Sequence, residues 1–259
     1  MRAVVCIKQI PETNSMKFDP VTNNLVRTSV RGVINRYDKH AIEAAVTLKE
    51  QTGCEVVVLS MGPEQFKESI KEAIAMGCDK GVLLSSRAFG GADTVATSYV
   101  LSKAIEKLGG ADVIFFGQNT LDSNTGLVGP ITAEYLGMPQ VTFAGRIDYA
   151  DGIFEVVRNL DTGYETVRVQ MPAAITVTDS LNVPRIPKTI NIIKAGRKEI
   201  PVWNEDDLQC DPACIGKAGS PTIVTSVYEP DKGDASATML EGDVSQVADQ
   251  IIELYRSKM

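Results

Sequence analysis

Four short apolar runs alternate with amphipathic helical segments in the first half of the chain. The apolar runs are residues 3–7, 55–60, 81–85 and 112–116, and helical periodicity covers residues 37–51, 64–76, 92–108 and 125–136. Unbroken apolar runs are typical of parallel strands that are covered on both faces. Strands that alternate with helices of this length predict a parallel α/β sheet with right-handed crossovers. The sequence therefore predicts a Rossmann-like α/β core.

The pattern changes after Pro139, where strand signals follow one another without a helix between them. Turn signals of the kind that join antiparallel strands separate these segments, so we predict an antiparallel meander. Its strands are residues 144–149, 153–158 and 165–170, and its turns are Asp151-Gly152 and Asp161-Thr162-Gly163. A further buried strand is expected at residues 173–177, and a small hairpin near the start of the chain at residues 16–18 and 25–27.

From about Ser180 the chain loses regular periodicity, and prolines interrupt the residues that follow. A long stretch without secondary structure is unusual inside a compact domain. We therefore predict a core at residues 1–195 and an extended arm at residues 196–259 that lies on another protein. The arm is expected to end in a helix whose apolar stripe needs a surface to cover it. That stripe consists of Val244, Val247, Ile251 and Leu254.

The loop after the fourth apolar run, GQNTLDSNTGLVGP at residues 117–130, is the strongest candidate for a binding site. In an open α/β sheet, ligands bind outside the carboxyl ends of the strands, and helix N-termini suit phosphate. Ser123, Asn124 and Thr125 place hydroxyls and an amide where they can hold a pyrophosphate without a lysine. The loop lacks Walker or Rossmann glycine spacing, so an ordinary strand-to-helix loop with an N-cap stays an equal alternative.

Charge and composition exclude several other classes of function. The net charge of −7 and pI of about 4.9 argue against a nucleic-acid partner. Five cysteines without framework spacing and one histidine predict reduced thiols and no metal site, and the sequence shows no catalytic triad pattern. The first residues lack a signal-peptide pattern, and no run approaches the roughly 20 apolar residues of a membrane span. We therefore expect a cytoplasmic protein without membrane insertion.

Several motifs that extend over the whole chain carry a resemblance to one known family. The motifs are Val5–Pro11, Asn35-x-Tyr37-Asp38, Ser60-Met61-Gly62-Pro63, Ala73–Gly77 followed by Asp79, Gly117–Pro130, and Ala173–Val177 with Leu181-Asn182-x-Pro184-Arg185. In order and spacing they resemble the electron transfer flavoprotein β subunit, the EtfB/FixA family.

The resemblance implies a core like that of the adenine nucleotide α hydrolases, in a heterodimer with a larger α subunit. The core of the β subunit holds AMP in housekeeping members and a second FAD in electron-bifurcating members. For Asn35 and Asp38 we consider contacts to adenine or ribose and helix capping, and for Asn35 alone capping is the simpler interpretation. The implied nucleotide contacts are Cys6, Asn35, Asp38, Met61, Gly117, Gln118, Asp122, Ser123, Asn124, Thr125, Gly126, Leu127 and Val128.

A glycine-containing stretch before the third predicted helix resembles bifurcating members in particular. Gly90-Gly91 permits a close approach of the backbone to a ligand. The stretch therefore favours FAD over AMP, and a glycine loop with an N-capped helix is the alternative. The residues implied to contact the cofactor here are Ala92, Asp93, Thr94 and Thr97.

Membership of the bifurcating class implies that FAD on this chain takes a hydride from NADH. One electron then goes to ferredoxin or flavodoxin, and the other passes through the α-subunit FAD to a flavin-dependent dehydrogenase. The loop at about residues 184–194 is implied to dock that dehydrogenase through Arg185, Ile186, Thr189 and Ile190, and Thr189 stands where the family has leucine.

Two other functions remain open from the sequence. The first is a non-bifurcating β subunit with structural AMP that passes electrons to a quinone route. The segment Asn35-Arg36-Tyr37-Asp38 supports it, because many bifurcating members have Asn-Pro-Asp-Asp there. The second is a nucleotide-binding domain that acts alone, and the predicted arm after Ser180 argues against it.

Overall fold

The computed structural model describes residues 1–12, 32–225 and 239–257. The chain forms two compact units, Met1–Val224 and Thr225–Met259. The strands are β1 (Arg2–Cys6), β2 (Gln9–Pro11), β3 (Gly32–Ile34), β4 (Glu55–Met61), β5 (Lys80–Leu84), β6 (Val113–Gly117), β7 (Gln140–Ala150), β8 (Ile153–Leu160), β9 (Gly163–Gln170), β10 (Ala173–Val177) and β11 (Val202–Trp203). The helices are α1 (Arg36–Thr52), α2 (Lys67–Met76), α3 (Thr94–Lys107), α4 (Val128–Tyr135), α5 (Thr189–Gly196) and α6 (Val244–Ser257). The hairpin predicted at residues 16–18 and 25–27 lies outside the described residues.

A nine-stranded sheet in the order β11-β5-β4-β1-β6-β10-β7-β8-β9 forms the centre of the first unit. All strands from β11 to β7 run parallel, whereas β8 and β9 pair antiparallel. Both the parallel core and the antiparallel meander are therefore confirmed. At the centre of the sheet, Cys6 lies opposite Leu59 of β4 and Phe116 of β6.

Two apolar clusters cover the two faces of the sheet and explain the unbroken apolar runs. Val5 and Phe115 pack with α1 and α2 on one face. Their neighbours Val4 and Phe116 pack with α3 on the other. Because successive side chains of a strand point to opposite faces, a strand covered on both sides is apolar at nearly every position. Each fully buried side chain of this kind stabilises the fold by roughly 1.5–3 kcal/mol.

Two glycines and one asparagine set the boundaries of helices α1 and α4. The predicted end of α1 at Gly53 is confirmed, with φ of 72° and its N–H bonded to the Lys49 carbonyl. The sequence predicted that helix α4 begins at residue 125, but the helix begins later, at Val128. The reason lies in the preceding loop, where Asn124 and Gly126 have φ of 51° and 65°. Left-handed residues interrupt a right-handed helix, so α4 starts only after them.

The prediction of irregular chain from Ser180 was wrong in two places. Helix α5 packs on α2, and β11 adds a parallel edge strand to β5, with Val202 opposite Leu83. An eight-residue helix and a two-residue strand carry too little periodicity to be visible in the sequence. Their positions depend on contacts with distant elements. The first compact unit extends to Val224, and the predicted core boundary at residue 195 stays a prediction.

Helix α6 is confirmed in the second unit, beginning at Val244 as predicted. Its apolar stripe is largely exposed: Val244 is 89% exposed and Leu254 46%. Among the described residues, no helix combines the length and apolar character needed to cross a membrane.

Candidate functional site

The candidate site lies where the strand order of the sheet reverses. From β1 the chain proceeds to β4 and β5 on one side, then returns to β6 on the other side of β1. Ligands of open α/β sheets bind outside the carboxyl ends of the strands at such a switch point. The ends of β1 and β6 bring Cys6 and Lys8 together with Gly117, and Asn35 and Asp38 approach from the start of α1. The sequence-predicted residues Cys6, Asn35, Asp38 and Gly117 therefore meet in space.

Asp38 joins the two strand ends to α1. Its Oδ2 accepts a hydrogen bond from the backbone N–H of Lys8 at 2.7 Å. Its Oδ1 accepts from the backbone N–H of Gly117 at 3.2 Å and from Nδ2 of Asn35 at 3.0 Å. The side chain is buried, and burial raises the pKa of Asp38 to about 7, against the lowering effect of these donors and of the Lys8 charge. The Asp38 carboxyl group thus holds the end of β1, the end of β6 and the start of α1 together.

Asn35 holds the loop that follows β6. Its fully buried side chain donates to the Asn119 carbonyl at 2.8 Å and accepts from the Leu121 N–H at 3.3 Å. Although Asn35 occupies the N-cap position of α1, its side chain forms no capping hydrogen bond among the described residues. The capping interpretation of Asn35 was therefore wrong. The predicted direct contact of Asn35 with a nucleotide stays a prediction.

Lys8 contacts the candidate loop, and sequence reasoning did not select it as a site residue. Its Nζ lies 2.8 Å from the carboxylate of Asp122 and 3.1 Å from Oγ of Ser123. The prediction that this loop can hold a pyrophosphate without a lysine therefore needs correction, because the side chain of Lys8, which follows β1, contacts the loop. Burial raises the pKa of Asp122, but the hydrogen bond and charge of Lys8, with the hydroxyls of Thr120 and Ser123, hold it below its usual range. The position of Lys8 directly after the predicted strand at residues 3–7 was the available signal.

Close packing and unpaired polar atoms at this edge suit a polar ligand. A Cβ on Gly117 would lie 2.4 Å from Asp38 Oδ1, so backbone and carboxylate touch there. Oγ of Ser60 and Oδ1 of Asn119 are buried without a hydrogen-bond partner among the described residues. An unpaired buried polar atom costs about 1–3 kcal/mol, which a ligand group offsets when it supplies the partner. Hydroxyls, amides and one ammonium group form a donor set that fits an adenine nucleotide.

Cys6 and Met61 contribute backbone and packing rather than reactive groups. Both pack in the apolar cluster on the α3 face of the sheet. Burial, with a smaller contribution from Asp38, raises the pKa of the Cys6 thiol well above its usual value. The thiol is therefore protonated at neutral pH. All five cysteines lie within the described residues and carry free thiols.

Comparison with known proteins identifies the family. The sequence profile of the electron transfer flavoprotein domain matches residues 22–208. The electron transfer flavoprotein subunit beta of Clostridium acetobutylicum is 44% identical over 224 residues, which is 86% of each chain. The chain belongs to the electron transfer flavoprotein β-subunit family. The sequence-based resemblance is thereby confirmed.

Two further relatives match over nearly their whole length. Subunit CarD of the caffeyl-CoA reductase-Etf complex from Acetobacterium woodii is 38% identical over 100% of this chain and 99% of its own. Protein FixA from Azorhizobium caulinodans is also 38% identical, over 99% of this chain and 94% of its own.

The second predicted group of contacts surrounds the start of α3. Oδ1 of Asp93 caps this helix, accepting from the N–H groups of Val95 at 2.9 Å and Ala96 at 3.1 Å. Oδ2 of Asp93 accepts from the N–H and hydroxyl of Thr222. The capped helix that was weighed as an alternative is thus present. Contacts of Ala92, Asp93, Thr94 and Thr97 with a cofactor stay predictions.

Helix α3 lies beside the helix that follows the candidate loop. The hydroxyl of Ser98 shares its one proton between the Thr94 carbonyl at 2.7 Å and the Val128 carbonyl at 3.1 Å, and the second contact joins α3 to the first turn of α4. The glycine stretch before α3 and the loop before α4 therefore open at the same edge of the sheet.

In this member of the family, Arg185 anchors the predicted docking loop to α1. Its guanidinium donates two hydrogen bonds to Glu43, at 2.9 and 2.8 Å, and two to Glu50, at 2.6 and 3.1 Å. Burial raises the pKa of Glu43, but the hydrogen bonds and charge of Arg185 outweigh it and hold the pKa below its usual range. Ile186 and Ile190 are 90% and 54% exposed. The loop thus has a fixed base and exposed apolar side chains, and sequence reasoning missed Glu43 and Glu50.

The raised pKa of Asp38 predicts a specific dependence of stability on pH. Between the ordinary value of 3.8 and about 7, the folded chain keeps a proton that the unfolded chain has lost. The free energy of unfolding should therefore fall as pH rises through this window, by up to about 1.4 kcal/mol per pH unit from this group. Urea unfolding of the wild type and Asp38→Asn at several pH values measures it. The stability difference, wild type minus variant, should decline until about pH 7; a constant difference would contradict the prediction.

Proposed function

We propose that this chain is the β subunit of a heterodimeric electron transfer flavoprotein of the electron-bifurcating type, with FAD in its core. The adjacency of two ligand-type loops supports this most directly. The glycine stretch before α3 and the loop Gly117–Val128 open side by side, joined by the Ser98–Val128 hydrogen bond. AMP needs only the second loop, whereas FAD extends far enough to use both.

The residues of the chain would bind and orient the cofactor rather than react with it. Ser123, Asn124 and Thr125 would hold the pyrophosphate, Cys6 and Met61 would border the adenine, and Asn35 and Asp38 would keep the two strand ends and the loop in place. Ala92, Asp93, Thr94 and Thr97 would border the remainder. When bound, the flavin would accept a hydride from NADH. It would pass one electron to ferredoxin or flavodoxin and the other to the α-subunit FAD.

The partners we propose follow from two exposed apolar surfaces. The loop at residues 184–194 presents Ile186 and Ile190 from a base fixed by Arg185, which suits docking of a flavin-dependent dehydrogenase. Its substrate would be an acyl-CoA or enoyl-CoA, or a 2-hydroxy acid. The name of the Acetobacterium relative, part of a caffeyl-CoA reductase-Etf complex, supports the first class.

The stripe of α6 would pack on the α subunit. Five free thiols suit the reducing cytoplasm.

A second candidate is a non-bifurcating β subunit that holds AMP as a structural ligand and serves acyl-CoA dehydrogenases and a quinone route. The saturation of the Asp93 carboxylate favours it. Both oxygens of Asp93 already bind groups of the chain, at the start of α3 and at Thr222.

Counting the cofactors of the purified αβ complex decides between these functions. Acid denaturation followed by chromatography of the released nucleotides should give two FAD per heterodimer and no AMP. One FAD and one AMP per heterodimer would contradict the bifurcating proposal and support the second candidate. As an independent measure, NADH together with the partner dehydrogenase and its acceptor should reduce added ferredoxin only in the bifurcating case.

A further inference from the structure

Lys8 reaches across the switch point of the sheet to the loop after β6. Its backbone N–H is fixed at 2.7 Å by Asp38, so the side chain starts from a rigid position. Its ammonium group lies 2.8 Å from the Asp122 carboxylate and 3.1 Å from the Ser123 hydroxyl. Lys8 is thus in contact with two of the residues that we assign to the phosphate-binding loop.

A nucleotide phosphate in this loop would lie close to the Asp122 carboxylate, whose negative charge a cation would offset. Asp122 is ionised at neutral pH, since its pKa lies below the usual range. A like charge within a few ångströms opposes the entry of a phosphate. Among the described residues, Lys8 is the one lysine or arginine whose side chain bonds to the loop Gly117–Val128. Lys8 is therefore the cation available to offset both negative groups.

The exposure of the ion pair leaves Lys8 free to change partners. The side chain of Lys8 is 41% exposed and that of Asp122 20%. An ion pair of this exposure contributes little to stability, so its replacement by another contact costs little. An ammonium group on a flexible stem suits phosphate binding as a point charge.

We propose that Lys8 is a phosphate-binding residue of this site and turns its ammonium group from Asp122 toward the phosphate oxygens of a bound adenine nucleotide. The proposal rests on the proposed function, in which the loop Gly117–Val128 holds a nucleotide. It adds to the site a charged side chain that does not belong to the loop itself. Asp122 is the partner that Lys8 leaves when the nucleotide binds.

Affinities for ADP, AMP and adenosine test the proposal in the αβ complex. Calorimetric titration after release of the bound nucleotide should show that Lys8→Met weakens ADP and AMP by about 10- to 100-fold, as for loss of a hydrogen bond to a charged group. Adenosine, which lacks phosphate, should bind as before. Lys8→Arg should keep most of the ADP affinity. Lys39→Met is the matched control, because Lys39 pairs with Glu72 at 2.9 Å with similar exposure, away from the loop.

Several results would overturn the role of Lys8. Unchanged ADP affinity in Lys8→Met would do so, as would an equal loss of ADP and adenosine, since the lysine would then only shape the loop. Should Lys8→Met fail to fold, Asp122→Asn gives a second test. Removal of that negative charge should tighten ADP and leave adenosine unchanged, and weaker ADP binding would contradict the proposal. A wild-type complex that binds none of the three compounds would refute the proposed function and the role of Lys8 together.

Discussion

Replacement of Asn35 by alanine is expected to lower the free energy of unfolding by about 3–5 kcal/mol and to release bound nucleotide. The side chain is fully buried and makes three hydrogen bonds, to Asp38, Asn119 and Leu121. Alanine leaves the Leu121 N–H and the Asn119 carbonyl without their partner and opens a cavity beneath the loop. Urea unfolding of the variant measures the loss of stability, and chromatography of the purified complex measures the bound nucleotide.

A second asparagine provides the control for this substitution. Asn159 donates one hydrogen bond, to Oγ of Ser180, at the surface of the meander. Asn159→Ala should cost less than about 1 kcal/mol and leave nucleotide binding unchanged, since an exposed hydrogen bond contributes little. If Asn35→Ala were as mild as this control, Asn35 would not hold the loop as described.

Gly117→Ala is expected to destabilise the chain by about 1–3 kcal/mol and to reduce nucleotide binding at least about tenfold. The new Cβ would lie 2.4 Å from Oδ1 of Asp38 and 2.8 Å from the backbone carbonyl carbon of Tyr37. Neither neighbour is the end of a flexible side chain, because Asp38 is held by three donors and Tyr37 belongs to the first turn of α1. The start of α1 must therefore move away from the end of β6, which separates the two halves of the site.

Thermal unfolding and ADP titration of the variant test this expectation. Gly196→Ala serves as the control, because a Cβ there meets nothing within 4 Å among the described residues. Alanine at the end of α5 should leave stability unchanged or raise it slightly. Wild-type ADP affinity in Gly117→Ala would show that the contact between β6 and α1 does not shape the site.

Repeating patterns in the sequence predicted most of the fold. The unbroken apolar runs predicted β1, β4, β5 and β6, and Asp151-Gly152 and Asp161-Thr162-Gly163 predicted the turns of the meander. These features are local: a side chain is apolar because its own strand is covered, and a turn glycine is present because its own backbone requires it. Helix α5 and strand β11 were missed because each is too short to show a period.

The site was predicted in part. The position of the loop Gly117–Val128 follows from the general rule for parallel sheets, and the family motifs selected Asn35 and Asp38. The roles of these two residues did not follow from either. The residues next to Asn35 in the sequence suggest only a helix cap. The loop after β6 to which Asn35 binds lies 84 residues later in the chain, so local sequence does not reveal this contact. Similarly, the loop after β6 contains no lysine of its own.

The sequence by itself determined the α/β class, the edge of the sheet at which the candidate site lies and the family to which the chain belongs. Only the tertiary structure decided which groups meet there. Asp38 and Lys8 are 30 residues apart, and Lys8 and Asp122 are 114 apart. Periodicity records whether a residue is buried in its own element, whereas charge pairing depends on which strand ends the sheet places side by side. Lys8 is therefore part of the candidate phosphate site because the strand order places the end of β1 beside the end of β6.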